Sequence, residues 1–150
     1  MSKHNKYMKM ALKEAKKALK KNEVPIGAVI VRDDKVIARA HNLRETNNLA
    51  TSHAEILAIQ KANKKLKSWR LDSCTLYVTI EPCPMCAGAI IQSRIKEVVY
   101  GARDLKAGAH SSVLNLFEFP FNHKVNVKSG ILEVESANII SQFFKGLRKK

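Results

Sequence analysis

The sequence predicts an α/β protein in which helices pack on both faces of one mixed sheet of five strands. Three observations predict it. Strand-like apolar runs alternate with helical stretches along the chain. The first twenty residues carry a helical stripe, with apolar positions three and four apart. No internal repeat, linker or shift in composition divides the 150 residues, and that length suits one core, so 1–150 is read as a single domain.

The elements follow in order. Ser2 to Lys21 is a helix whose stripe is Met8, Ala11, Leu12, Ala15, Ala18 and Leu19, with Lys9, Lys13, Lys16, Lys17 and Lys20 on its solvated face. Val24 to Val31 is a strand with Gly27 inside, the mark of a place where another backbone comes close. Arg32-Asp33-Asp34-Lys35 is a turn and Val36 to Ala40 the second strand of a hairpin. A polar loop then runs to Ser52, which with Glu55 offers a capping box to a helix ending near Lys65. Leu76 to Ile80 is a strand, and Pro82 suits the start of the next helix, whose small residues Ala87 to Ile91 suit tight packing on the sheet. Val98 to Tyr100 is a strand followed by a charged loop, 101–108. A weak helix over Ser111 to Phe117 and a fifth strand over Lys124 to Val127 follow. A final helix runs from Leu132 to Lys149, with Ile140, Phe143, Phe144 and Leu147 as its stripe and a basic end.

Chemistry concentrates between His53-Ala54-Glu55 and Pro82-Cys83-Pro84-Met85-Cys86. One imidazole and two thiolates suit zinc, and three protein ligands leave the fourth tetrahedral position open for water, as in a catalytic site. Cys83 and Cys86 lie one turn apart at a helix amino terminus, which favours their thiolates. Glu55, two residues beyond the histidine, is placed to move the protons of that water. A lone Cys-x-x-Cys also reads as a redox pair, and Glu55 alone as a capping residue; the two segments together favour the metal site. Cys74, before a strand, reads as a buried structural thiol, and three cysteines make a poor disulfide framework.

The net charge of +14 favours a polyanionic partner, although lysine, far commoner here than arginine, also accumulates on surfaces that bind nothing. No apolar run approaches a membrane span and the amino terminus lacks a signal peptide's apolar block, so the chain reads as cytoplasmic with no membrane partner.

His-x-Glu followed by Pro-Cys-x-x-Cys is the signature of the zinc-dependent nucleobase deaminases. From about Tyr7 to Arg148 the chain resembles one branch of them, the bacterial tRNA-specific adenosine deaminases (the TadA family of the cytidine deaminase superfamily). Glu23 to Ala28, Ala40-His41-Asn42, Trp69-Arg70-Leu71, Leu76 to Thr79, Val99 to Asp104 and Phe121-Asn122-His123 carry the resemblance beyond the zinc signature. It implies a cytidine deaminase-like, three-layer α/β/α sandwich, a homodimer with one zinc per subunit, and conversion of a wobble adenosine to inosine in a tRNA anticodon stem-loop, typically of an arginine tRNA. It also implies roles: His53, Cys83 and Cys86 on zinc, Glu55 in catalysis, and Asn42, the Ala54 backbone and Ile26 around the flipped-out base. Asp104, Lys106, Asn122, His123, Phe144 and Arg148 fall where the family grips neighbouring nucleotides. Pro84, between the cysteines, and His110-Ser111-Ser112 depart from the family's usual residues; the second puts details of the nucleic-acid loop in question. His4, His41 and His110 are not read as ligands, since a lone histidine is usually at the surface or a satisfied structural donor. Two competing readings share parts of the pattern: a deaminase of a free base or nucleoside, of the cytosine or guanine type, and a non-catalytic RNA-binding module with a structural zinc.

Overall fold

In the computed structural model, which describes residues 2–148, two antiparallel strands, β1 (Gly27–Arg32) and β2 (Lys35–His41), precede three more: β3 (Thr75–Ile80), β4 (Glu97–Ala102) and β5 (Asn126–Lys128). They form one mixed sheet in the order β2-β1-β3-β4-β5, with β1 antiparallel to β3 and the β3–β4 and β4–β5 pairs parallel. Asp33 and Asp34 both take positive φ, the two-residue hairpin turn whose twist matches the flanking strands. The helices are α1 (Lys3–Lys20), a short α2 (Arg44–Asn47), α3 (Ala54–Leu66), α4 (Pro84–Gln92) and α5 (Glu133–Arg148). No helix among the described residues is long and apolar enough to cross a membrane.

The pleat divides the strand residues between two cores. Ala28, Ile30, Leu76, Val78, Val98 and Tyr100 face α3 and α4, whereas Val29, Val31, Tyr77 and Val99 face Tyr7, Met8 and Ala11 of α1. The result is the expected three-layer α/β/α arrangement. The sheet's edges are not inviting to further strands. On β2 Lys35 and Arg39 are exposed, and the Arg39 carbonyl accepts from Lys61 Nζ at 2.7 Å; β5 has three residues only.

Several local expectations change. The α1 stripe includes Tyr7 and Glu14; Glu14 is tolerated inside because its carboxylate accepts from Lys17 Nζ (2.7 Å) and pairs with His41 Nδ1 (3.1 Å). Ser52 does not cap α3: its hydroxyl oxygen accepts from Asn47 Nδ2, and His53 occupies the N-cap with no side-chain cap bond. Helix α4 starts at Pro84, not Pro82, with Cys83 as N-cap. Gly88 has nothing within 4 Å of its missing Cβ, so it is not the tight-packing position its neighbourhood suggested. The weak helix over 111–117 is a turn followed by a 3₁₀ segment, Leu116–Glu118. On α5 the inward residues are Ser136, Ile139, Ile140 and Phe143; Phe144 and Leu147 are 43% and 50% exposed. The basic end at Lys149 and Lys150 lies outside the described residues. Cys74 is fully buried, as expected of a structural thiol, and burial pushes its pKa up.

Gly27 fulfils its sequence reading. A Cβ there would overlap the carbonyl oxygen of Ala11 and the backbone nitrogen of Ala15, so α1 lies directly on β1. Gly27→Ala should therefore push the helix off the strand and lower the unfolding free energy by about 2–3 kcal/mol. Urea unfolding followed by circular dichroism checks this; a change below about 0.5 kcal/mol would mean the helix–strand contact yields without cost.

Candidate metal and substrate site

Two helix amino termini meet beyond the carboxyl end of β3. His53 is the N-cap of α3, and Cys83 and Cys86 are the N-cap and third residue of α4. Their ligand atoms lie within 4.8 Å of one another, with His53 Nδ1 3.7 Å from Cys83 Sγ and 3.6 Å from Cys86 Sγ. Zinc bonds of about 2.05 Å to nitrogen and 2.3 Å to sulfur, at a tetrahedral angle, put those atoms about 3.6 Å apart. Both nitrogen–sulfur separations thus already match the corresponding edges of a zinc tetrahedron.

The charges agree. A hydrogen bond from Cys86 holds the Cys83 thiol down to about 4, against burial, with His53 adding to the effect. The same contact with Cys83, together with burial, pushes Cys86 far up, and the Cys83 contact raises His53. Two thiols that share a hydrogen bond do not readily both ionise on their own; a divalent cation bound by both would allow it. Glu55, at the second residue of α3, is 3% exposed, and burial pushes its carboxyl up to about 7.

A cleft of about 210 Å³ opens beside these groups. Of the residues expected from the sequence, it gathers His53, Glu55, Cys83, Ile26, Asn42, Ala54 and Asp104 on its walls, while Cys86 lies buried behind. Lys106 and Phe144 meet in a different groove with Ser141 and Lys145. Asn122 lines a third hollow with Arg94 and Phe121, and His123 Nε2 bonds the Ile95 carbonyl at 2.7 Å. Arg148 ends α5, and its side chain is outside the described structure. The other histidines have structural partners: His4 with Tyr77 Oη, His41 with Glu14, and His110 with Tyr100 Oη.

Asn42 is held on both sides of its amide. Its Nδ2 donates to the Val24 carbonyl and its Oδ1 accepts from the Arg44 backbone, each at 3.3 Å. One N–H and one lone pair remain for a ligand. Arg44 belongs to α2, which the sequence reading took as loop. That helix hangs on Glu23, a buried carboxylate accepting from the Glu45 N–H (3.1 Å) and from the Thr46 N–H and hydroxyl (both 2.6 Å). Glu81, likewise, is 1% exposed and bonded to the loop that brings Asp104 and Ala107 to the cleft. Sequence reasoning missed both glutamates. The available signal was an acidic residue beside a proline-containing segment, ahead of one apolar strand for Glu23 (β1) and behind another for Glu81 (β3).

A family profile described as MafB19-like deaminase matches residues 2–148. The chain is 57% identical over 145 residues to the tRNA-specific adenosine deaminase of Bacillus subtilis (strain 168), an alignment covering 96% of this chain and 90% of that protein. A solved structure from a study of A-to-I editing by tRNA:A34 deaminases at the wobble position of transfer RNA has a TM-score of 0.87 at 47% identity, covering 89% of this chain and 98% of that one. The guanine deaminase of Bacillus subtilis is less similar, with a TM-score of 0.65 at 33% identity over 81% of this chain and 88% of that one.

Glu23 yields a pH-dependent prediction. Burial opposes its ionisation, but the Thr46 hydroxyl and the backbone N–H groups of Thr46 and Glu45 outweigh burial and hold its pKa below the ordinary 4.5. A lowered carboxyl stabilises the fold above the unfolded-state pKa and loses that contribution as pH falls through the folded value. Glu23→Gln should lower the unfolding free energy at pH 7 by about 1–3 kcal/mol. The gap to the parent should narrow below about pH 4.5. Urea unfolding of both proteins at pH 7 and at about pH 3.5 measures it; a gap of equal size at both pH values would rule out the carboxylate charge as its source.

Proposed function

The chain belongs to the MafB19-like deaminases and, within them, to the tRNA-specific adenosine deaminase family, and on that premise we propose that it converts the wobble adenosine of a tRNA anticodon to inosine, with water consumed and ammonia released. The observation that carries this reading is the 57% identity to a tRNA-specific adenosine deaminase along almost the whole of both chains. The guanine deaminase, with the fold in common, stands at 33%. A net charge of +14 fits a polyanionic substrate.

In this reading residues 1–150 form one deaminase domain, and His53, Cys83 and Cys86 hold one zinc per subunit, as the 3.6 and 3.7 Å donor separations support. When bound, zinc supplies Lewis acidity that makes water a nucleophile near neutral pH. Glu55 is the catalytic acid–base group. It takes a proton from the water that attacks C6 and delivers it to ring N1, then takes the proton of the new C6 hydroxyl and passes it to the departing amine as the C6–N bond breaks and the C6 carbonyl forms. Burial, which disfavours the charged form of the Glu55 carboxyl, suits a group that takes up and gives back a proton. The base must leave its stack to enter so enclosed a cleft, and an anticodon loop offers bases that splay outward. Asn42 hydrogen-bonds the base with the one N–H and one lone pair its scaffold leaves free, Ala54 meets it through backbone, and Ile26 packs on it. Asp104, Lys106, Asn122, His123, Phe144 and Arg148 grip flanking nucleotides, and the working form is a cytoplasmic homodimer acting on an arginine tRNA.

Mass spectrometry of tRNA incubated with the protein, read for inosine at the wobble position, tests the proposal. In the same assay Glu55→Gln should retain zinc by elemental analysis and bind the stem-loop, yet lose about 10⁴-fold in single-turnover rate. Cys86→Ala should lose zinc and activity together. Activity on free guanine or adenosine with none on the stem-loop would replace the tRNA substrate, and a Glu55→Gln rate within about threefold of the parent would remove the assigned acid–base role.

A further inference from the structure

The loop 103–112 has no regular structure, yet it forms one wall of the cleft through Asp104 and Ala107. One side chain holds it. Glu81, between the end of β3 and the zinc-signature segment, sends its carboxylate into the loop. Its Oε1 accepts from the Asp104 N–H (3.1 Å) and the Ser112 hydroxyl (2.5 Å). Its Oε2 accepts from the N–H groups of His110 and Ser111, both at 2.8 Å. A carboxylate has about four acceptor positions, so these four donors saturate it. Nothing remains for a substrate, and Glu81 acts on chemistry only through the loop.

Three features support the clamp. A Cβ on Gly108 would overlap all the carboxyl atoms of Glu81, so the loop closes over the group as only glycine allows. The Ala109 N–H donates to the Pro82 carbonyl at 2.8 Å, fastening the loop to the residue before Cys83. His110 anchors the far end inward: its Nδ1 lies 2.8 Å from Tyr100 Oη and its ring stands edge-on to Phe117. The run His110-Ser111-Ser112 thus supplies two amides, the hydroxyl and the anchor. At the cleft, Asp104 spends Oδ1 on the N–H groups of Lys106 and Ala107, and its Oδ2 takes no bond among the described residues.

We propose that Glu81 is a positioning residue: its saturated carboxylate fixes the 103–112 loop so that Asp104 and Ala107 form a preorganised wall against the nucleotide held in the cleft. This rests on the deaminase reading given above. Because the loop contacts the substrate and Glu55 moves the protons, the effect belongs to binding rather than to the chemical step.

The experiment uses full-length protein and an anticodon stem-loop. Inosine formation by the parent comes first, and its failure would overturn the deaminase reading without bearing on the clamp, which amide exchange reads independently. Glutamine at position 81 turns two acceptor positions into donors facing donors. Glu81→Gln should keep its zinc and speed exchange at the His110 and Ser111 amides while leaving β1 and β3 unchanged. Its kcat should stay within about threefold and its KM rise about tenfold or more. Ser112→Ala removes one donor and should raise KM by about two- to fivefold, and Ser112→Thr, which keeps the hydroxyl, should restore it. Faster exchange throughout the sheet in Glu81→Gln, or an unchanged KM in both Glu81→Gln and Ser112→Ala, would overturn the proposal.

Discussion

Two thiols, an imidazole and a carboxyl group crowded at the base of one cleft are costly for a protein interior unless their charges are balanced. The balance here is built from backbone first. The starts of α3 and α4 both point at the cluster, and the positive ends of their dipoles favour anionic sulfur and carboxylate. The sheet makes that possible. Parallel β3 and β4 send the chain out at one end, α4 returns it, and the site falls beyond the carboxyl ends of the strands, the usual place for ligands in open α/β sheets. A cation held by the three donors, whose spacing suits one, would supply the remaining positive charge.

The cleft walls solve a different problem. Irregular chain that forms a binding surface must satisfy its own N–H groups away from water. Glu23 does this for the lip that holds Arg44, and Glu81 for the lip that holds Asp104. Each is a buried carboxylate reaching a segment more than twenty residues away in sequence. Ordinarily such loops would be the more mobile parts of a molecule; tying them to the strand ends gives them the positional definition of the sheet.

Much of this was legible in the sequence where one period or one motif dominates. The α1 stripe, the hairpin and the strands before the cysteines follow from apolar spacing, and the candidate metal-binding trio from the residue types in His-x-Glu and Cys-x-x-Cys. Failures occurred where a distant side chain decides a local conformation. Helix α2 is four residues long and depends on Glu23, so no local signal announces it. Ser52 had the right spacing for a cap, but Asn47 claims its hydroxyl. The segment 111–117 has helical composition, yet its first amide turns toward Glu81. Prolines at 82 and 84 both suit a helix start, and only the folded chain distinguishes them. The proposed roles around the substrate, that of Asn42 among them, rest on family resemblance rather than on pattern, because an asparagine that bound a base would have no spacing of its own.

The sheet's edges carry a last consequence. An exposed strand edge is a template on which a second chain can extend the sheet, and proteins that persist at working concentration must discourage it. On one side the charges of Lys35 and Arg39, with Lys61 already occupying a carbonyl, deny β2 that use. On the other, three residues of β5 are too few to template anything stable. Self-association by strand addition is therefore discouraged at both ends, and any lasting contact between copies of this chain falls to its helices and loops, where geometry rather than backbone stickiness chooses the partner.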